Sequence, residues 1–189
     1  MEKRFNPEQT AKLDNPERRK VLPPETILTM LDIQTSDTVL DVGAGTGYFT
    51  LPASKLCQKI YALDVSPQML QYIQERTNEQ GVSNVELVQG AIEQIPLDAQ
   101  TVDHIIASFV IHEVEPLQDG LKEIHRVLKT GGKVMCIEWE KKEMEQGPPI
   151  HHRLYSGDLT KTFEEIGFIV EQLSFPSEQH YIIIARKHS

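Results

Sequence analysis

Asp41 stands just before the run Gly43-Ala44-Gly45-Thr46-Gly47, and Asp64 follows 21 residues after Gly43. Glycines at this spacing let a backbone turn sharply and approach a ligand, because no Cβ intervenes. A carboxylate about 20 residues further on accepts both hydroxyls of a ribose. The dinucleotide fingerprint Gly-x-Gly-x-x-Gly would need glycine at position 48. Tyr48 stands there, and the third glycine comes one residue early, at Gly47. Asp41 would also repel a dinucleotide's phosphates, whereas it suits a cationic amino group. The alternative for Asp41 is a carboxylate that only stabilises the turn.

His112 and Glu113 form a second candidate group, just beyond an apolar stretch ending at Ser108-Phe109. Histidine titrates near neutrality and suits proton abstraction; the alternative is a histidine that packs the following loop. His151, His152 and Arg153 either contact an anionic ligand or face solvent. Glu138 and Glu140 flank Trp139, and strand alternation puts the two carboxylates on one side. They read as a solvated pair, with Trp139 packed. No Cys-x-x-Cys pair and no carboxylate cluster completes a metal site. Cys57 and Cys136 read as buried, reduced thiols.

Positioning these residues requires alternating strands and helices. Thr38–Val42, Lys59–Val65, Val85–Gln89, Val102–Phe109 and Lys133–Trp139 are strand-like. Ser66 can cap a helix that starts at Pro67 and stops at Gly81. Pro116 can open another, which is expected to end at Thr130-Gly131-Gly132. Pro52 is tolerable if its helix starts near Tyr48, since first-turn amides lack partners anyway. Alternating elements imply βαβ units, a parallel sheet and helices on both faces. Phe168–Phe175 and Tyr181–Arg186 are joined by Pro176-Ser177-Glu178-Gln179 and His180. That connection is too short for a parallel crossover, so this pair is antiparallel. The expected sheet is mostly parallel with a reversed strand near one edge.

The chain of 189 residues fits one domain over 1–189, with 39% hydrophobic residues and a net charge of -9. That charge opposes a nucleic-acid partner, which calls for a basic face. No apolar run approaches the ~20 residues of a bilayer span, and no signal peptide opens the sequence, so a cytoplasmic protein is expected. Residues 1–23 are polar and proline-containing, and are expected to form a lid segment. Residues 141–157, with Gly147-Pro148-Pro149, read as a long loop.

Several motifs together resemble the class I S-adenosylmethionine (SAM)-dependent methyltransferases, of the branch similar to ubiquinone and menaquinone biosynthesis enzymes. They are Leu40-Asp41-Val42-Gly43-Ala44-Gly45-Thr46-Gly47, Leu63-Asp64-Val65-Ser66, Ile95-Pro96-Leu97, Phe109-Val110-Ile111-His112-Glu113-Val114 and Arg126-Val127-Leu128-Lys129-Thr130-Gly131-Gly132. The similarity covers residues 36–186. It implies an α/β, three-layer Rossmann-like fold whose seven-stranded sheet has order 3-2-1-4-5-7-6 with strand 7 antiparallel. It implies SAM as cofactor, S-adenosylhomocysteine as product and a small-molecule acceptor. Asp41 and the loop Gly43, Ala44, Gly45, Thr46 and Gly47 would hold the methionine end. Asp64 would bind the ribose, with Val65 and Met69 beside the adenine and Ser108 and Phe109 near the sulfonium. His112 is the candidate base. Where the family often has Gly-Asp-Ala, this chain has Gly90, Ala91 and Ile92, so backbone groups, helped by Glu93, would meet the adenine. The competing readings are a noncatalytic SAM- or nucleotide-binding module and a nicotinamide-dependent oxidoreductase; Tyr48 opposes the latter. Ser108-Phe109-Val110-Ile111 replaces the Asp/Asn-Pro-Pro-Tyr of amino-group methylases of DNA.

Overall fold

The computed structural model describes residues 16–144 and 147–188. Seven strands form one sheet of order β3-β2-β1-β4-β5-β7-β6. They are β1 (Thr38–Val42), β2 (Lys59–Asp64), β3 (Val85–Gln89), β4 (Val102–Ser108), β5 (Leu128–Trp139), β6 (Phe168–Ser174) and β7 (His180–Lys187). β1 to β5 are mutually parallel, and β7 runs antiparallel between β5 and β6. The order reverses between β1 and β4, and in sheets of this kind the crevice that takes a ligand lies outside the carboxyl ends of the strands at that point.

Side-chain alternation sorts the core into two layers. Leu40, Val42, Ile105, Ala107, Val134 and Cys136 pack beneath α5 (Leu117–Val127) and α6 (Ser156–Ile166). Val39, Ile106, Met135 and Ile137 face the other way, toward α2 (Pro24–Ile27) and α3 (Thr50–Ser54). α4 (Pro67–Gln80) sets Ile73 against Ala44 and Ala62 on that second face. Asp41 shares the alternation of Val39, so its carboxylate points at α3.

Local sequence explains the ends of α4. Ser66 accepts a hydrogen bond from the Met69 amide, Pro67 takes the first helical position, and Gly81 closes the helix with φ 66°. Pro52 is the third residue of α3, within the first turn where its missing N–H costs nothing. α5 ends at Val127, earlier than the glycines suggest. Leu128 is fully buried and already extended, paired with Val102. The sheet claims it, and Thr130-Gly131-Gly132 instead accommodates the irregular register between Val102 and His104.

The first fifteen residues, which hold Phe5 and Leu13 of the expected lid, lie outside the described residues. The remainder forms α1 (Pro16–Val21), followed by Leu22, which is buried in the α2–α3 layer. The loop after β5 carries a short 3-10 turn at Ile150–His152. Among the described residues, no helix is long and apolar enough to cross a membrane.

Candidate functional site

β1 and β2 deliver the two carboxylates to the same end of the sheet. Asp41 is buried on β1, where its Oδ2 accepts a 2.6 Å hydrogen bond from the Thr50 hydroxyl of α3. Burial pushes its pKa up to about 7, against the lowering effects of Thr50 and Arg18; the nearby Asp64 charge raises it further. A group so costly to ionise favours a cation beside it. Asp64 ends β2. Its two oxygens accept from the Gly45 amide at 2.9 Å and the Ser66 amide at 2.8 Å. Each oxygen can take a second donor, so the carboxylate is oriented and still able to receive ribose hydroxyls.

The glycine loop between them needs its glycines. Gly43, Gly45 and Gly47 all have positive φ, at 65°, 54° and 79°. At Gly43 a Cβ would also lie 2.4 Å from a Val110 methyl. Ala44 donates to the Leu63 carbonyl and locks the loop onto β2. Thr46 is buried, and among the described residues its hydroxyl has no hydrogen-bond partner. Burying an unmet hydroxyl costs about 1–3 kcal/mol, so a polar ligand group would relieve it. A paired set of carboxylates, an open-backed glycine loop and an orphaned hydroxyl fit the amino acid and ribose ends of SAM.

The remaining sequence candidates fall around this crevice unevenly. Met69 is buried, whereas Val65 is exposed. Gly90 donates to the Asp64 carbonyl, which brings the Gly90-Ala91-Ile92 turn next to β2's end. Ile92 is turned into the core beneath α5. Ser108 ends β4 and accepts a 3.0 Å bond from Arg18 of α1. That guanidinium lies 3.9 Å from the Tyr48 ring centroid and 5.1 Å from that of Phe109. Tyr48, the residue in place of a fingerprint glycine, donates its hydroxyl to the Leu22 carbonyl. Phe109 has φ 56°, a left-handed conformation that costs a bulky residue on the order of 1–3 kcal/mol. The strain turns its ring into a cluster with Trp139 at 5.3 Å and His180 at 5.2 Å. Burial depresses His180 to about 4, so the cluster's imidazole is neutral.

His112 lies in the 3-10 turn Ile111–Glu113 after β4, and here the structure corrects one expectation. Glu138 and Glu140 are not a solvated pair. Glu138 is fully buried, and its oxygens lie 2.8 and 3.0 Å from His112 Nδ1. It also accepts from the His112 and Trp139 amides. Sequence reasoning placed Glu138 on the right face of β5 but missed its partner. The signal lies in the β4–β5 register, where Ser108 sits opposite Ile137. Arg153 does not face solvent. It is buried and donates to the carbonyls of Pro148 and Lys142, tying the loop after β5 to itself. Gly147 of that loop lies against Trp139, where a Cβ would come within 2.8 Å of the indole. The rings of His151 and His152 meet edge to face in the 3-10 turn, with centroids 4.3 Å apart. Both cysteines are buried and free. Among the described residues no group of three or more potential metal ligands is present.

Comparison with known proteins gives this geometry a family. Residues 40–136 match the model of a family described as "Methyltransferase domain". A SAM-dependent methyltransferase from Aquifex aeolicus superposes with a TM-score of 0.89 and 32% sequence identity, over 96% of this chain and 98% of that one. A demethylmenaquinone methyltransferase of Geobacillus sp. (strain WCH70) is 32% identical over 117 residues, 60% of this chain and 50% of that protein. One from Bacillus mycoides (strain KBAB4) is 29% identical over 171 residues, covering 85% and 72%. The chain thus spans about half the length of some curated relatives it matches. It belongs to the class I SAM-dependent methyltransferase family, whose cofactor is SAM.

Proposed function

We propose that this member of the family transfers the methyl group of SAM to a small-molecule acceptor held at the carboxyl ends of β4 and β5. The observation that carries the reading is the convergence of two groups on one end of the sheet. Asp41, the glycine loop and Asp64 form one; the Ser108–Phe109 turn and the His112–Glu138 pair form the other. In the proposed site Asp41 and Thr46 meet the amino acid end of SAM, and Asp64 holds the ribose. Val65, Met69 and the turn Gly90-Ala91-Ile92 border the adenine. Ser108 and Phe109 border the sulfonium.

When bound, SAM supplies a methyl carbon whose transfer leaves a neutral thioether. The protein's own task is to align the acceptor with that carbon and exclude water. The rings of Phe109, Trp139 and His180 form an aromatic cluster whose planes are tilted by 36–60° to one another. An aromatic acceptor suits that cluster, and His112 is the candidate base for the proton that a hydroxyl or ring carbon must lose. A quinol resembling the substrate named by the demethylmenaquinone methyltransferases fits both features. The segment 1–23 is proposed to cover the crevice, as Arg18 and Leu22 already reach Ser108 and Tyr48.

Titration calorimetry with S-adenosylhomocysteine and with NAD tests the cofactor half. Binding of the first in the micromolar range, about -8 kcal/mol, and none of the second is the expected result. Binding of NAD alone would overturn it. Incubation with SAM and a set of hydroxylated naphthoquinols, phenols and amines, read as S-adenosylhomocysteine released, tests the acceptor half. Cofactor binding without turnover of any of these would favour a noncatalytic module.

A further inference from the structure

We infer that Arg18 receives the carboxylate at the amino acid end of SAM, opposite Asp41, which takes the ammonium of the same end. The inference rests on the methyl-transfer reading above and deepens it, by naming what the site selects: a ligand end that carries both signs of charge. Asp41 and Asp64 suit an ammonium and a ribose, but two carboxylates repel a third. The glycine loop is poorly placed to offset that repulsion through its backbone. The Ala44 amide is given to the Leu63 carbonyl, the Gly45 amide to Asp64 and the Gly47 amide to the Ala44 carbonyl. A cation from another element resolves the conflict.

Three contacts set the Arg18 guanidinium where the order of the sheet reverses. Its Nη2 donates to the Ser108 hydroxyl at 3.0 Å. Ser108 ends β4, the strand that pairs with β1 and sets Ile106 opposite Asp41. The guanidinium carbon lies 3.9 Å from the Tyr48 ring centroid and 5.1 Å from that of Phe109. Tyr48 directly follows the last glycine of the loop, and Phe109 directly follows Ser108. Arg18 is half-buried between exposed Glu17 and Arg19, so it is the residue of this turn of α1 that points inward. The Tyr48 hydroxyl pins the chain just past the helix by donating to the Leu22 carbonyl at 2.7 Å.

Charge supports the same assignment. Arg18 favours the ionised form of Asp41 through its field, whereas the hydrogen bond on that carboxylate comes from Thr50. Among the described residues Arg18 is the cation with the largest effect on Asp41. Arg76 of α4 donates to the Thr46 carbonyl, and Arg19 is exposed, 5.4 Å from the Tyr48 centroid. An acid and a guanidinium that attract each other through space suit a ligand group that carries an ammonium and a carboxylate on one carbon. A guanidinium meets a carboxylate through a planar fork of N–H groups, and the contacts with Ser108 and Tyr48 restrict the orientation of that fork. SAM as a whole carries a sulfonium and an ammonium against one carboxylate; the site sets Asp41 and Asp64 against Arg18.

Calorimetry on the full-length protein tests this with two ligands. One is S-adenosylhomocysteine; the other is its decarboxylated analogue, which keeps the ammonium, thioether, ribose and adenine. The wild-type protein is expected to bind S-adenosylhomocysteine about 10- to 100-fold more tightly than the analogue, as charge-assisted hydrogen bonds to one carboxylate imply. Arg18→Met removes the charge and keeps an unbranched apolar stem against Tyr48. It should weaken S-adenosylhomocysteine by the same factor and leave the analogue no weaker, so that the two affinities converge. Arg18→Gln, a good helix former, gives the same readout if Arg18→Met does not fold. A wild-type protein that does not distinguish the two ligands overturns the inference. So does a folded variant that keeps the wild-type ratio, whether or not both affinities fall, because a packing role would weaken the two ligands alike. Failure of both ligands to bind the wild-type protein would sink the methyl-transfer reading and this inference with it. Binding of both without dependence on the carboxylate sinks this inference alone.

Discussion

The two ends of the same parallel sheet treat charge in opposite ways. At the amino ends, each buried or half-buried acid meets a base. Asp103 takes Lys129 at 2.9 Å and also caps the Thr38 amide, and His104 meets Asp37 at 3.1 Å. Lys187 of β7 donates to the His125 and Leu128 carbonyls. These contacts tie strand starts to helix ends. At the carboxyl ends, the charge of Asp64 adds to the cost of ionising the buried Asp41. A hydroxyl is stranded at Thr46, and Phe109 is held in a left-handed conformation. Neighbours placed for stability alone would not be arranged this way. Among the described residues, unmet or strained groups occur at both ends, since His104 Nδ1 also lacks a partner and Asp32 and Gln100 are also left-handed; the difference lies in the two neighbouring carboxylates, which suit a cationic or hydroxylated ligand under the proposed reading.

The sharpest way to break this comparison is to put the same methyl group at a glycine of each end. Gly43 and Gly131 both have positive φ, at 65° and 81°. Gly43→Ala drives its Cβ into Val110, whereas none of the described residues lies within 4 Å of a Cβ at Gly131. Both variants bear the left-handed cost of roughly 1–2 kcal/mol, seen as a lowered melting temperature. Only Gly43→Ala should also lose S-adenosylhomocysteine binding, by more than about 100-fold, since 1.4 kcal/mol is already a factor of ten. Equal affinities in the two variants would place the ligand away from the loop.

A smaller effect is expected at Asp64. Removing a carboxylate that accepts ligand hydrogen bonds costs roughly 1.5–3 kcal/mol, or about 10- to 150-fold in affinity. Asp64→Ala should show that loss by calorimetry. Unchanged affinity in a folded variant would remove Asp64 from the site.

Asp41 distinguishes the ends by pH. Its folded pKa of about 7 lies above the ordinary 3.8. Between these values the folded state holds a proton that the unfolded state has released, so stability falls as pH rises from about 4 to about 7 and is then level. Affinity for a cationic ligand moves the other way, because the carboxylate must ionise to receive it. Binding should tighten up to about tenfold between pH 6 and pH 7.5, and Asp41→Asn should flatten both trends. A binding curve that is flat in the wild-type protein would show that Asp41 only braces the turn through Thr50.

Much of the carboxyl end was legible because it is written locally. The glycine run, the acids that end β1 and β2, and the Ser66-Pro67 cap each depend on neighbours within a few residues. The sheet order required the resemblance to known methyltransferases, since strand adjacency is not a local property. The His112–Glu138 pair depends on that adjacency: 26 residues separate its members, and only the β4–β5 register brings them together. The end of α5 was misjudged for the same reason, as pairing with Val102 outweighs the glycine stop signal. The burial of Arg153 was not foreseen because its carbonyl partners lie on an irregular loop whose path no periodicity encodes.

The smallest effect tests the amino end by itself. Lys129 and Asp103 have side chains 43% and 27% exposed, so solvent screens their attraction. Such pairs are worth about 0.2–1 kcal/mol. Lys129→Met removes the charge but keeps most of the aliphatic stem that lies along the strand. Asp103 retains the Thr38 amide and the proximity of His104. The variant should therefore unfold at slightly lower urea, by no more than about 1 kcal/mol, and lose part of that difference in high salt. Asp103 is held below the ordinary carboxylate range by the Thr38 amide and by Lys129, which outweigh its burial. A lowered carboxylate pKa contributes stability above its unfolded value that fades as pH falls through the folded one. The gap between wild type and Lys129→Met should accordingly narrow below pH 4. S-adenosylhomocysteine affinity should not move, because no ligand group is expected at this end. A change in affinity as large as that of Asp64→Ala would mean that the two ends are coupled through β1 and β4, and that a division of labour between them does not hold.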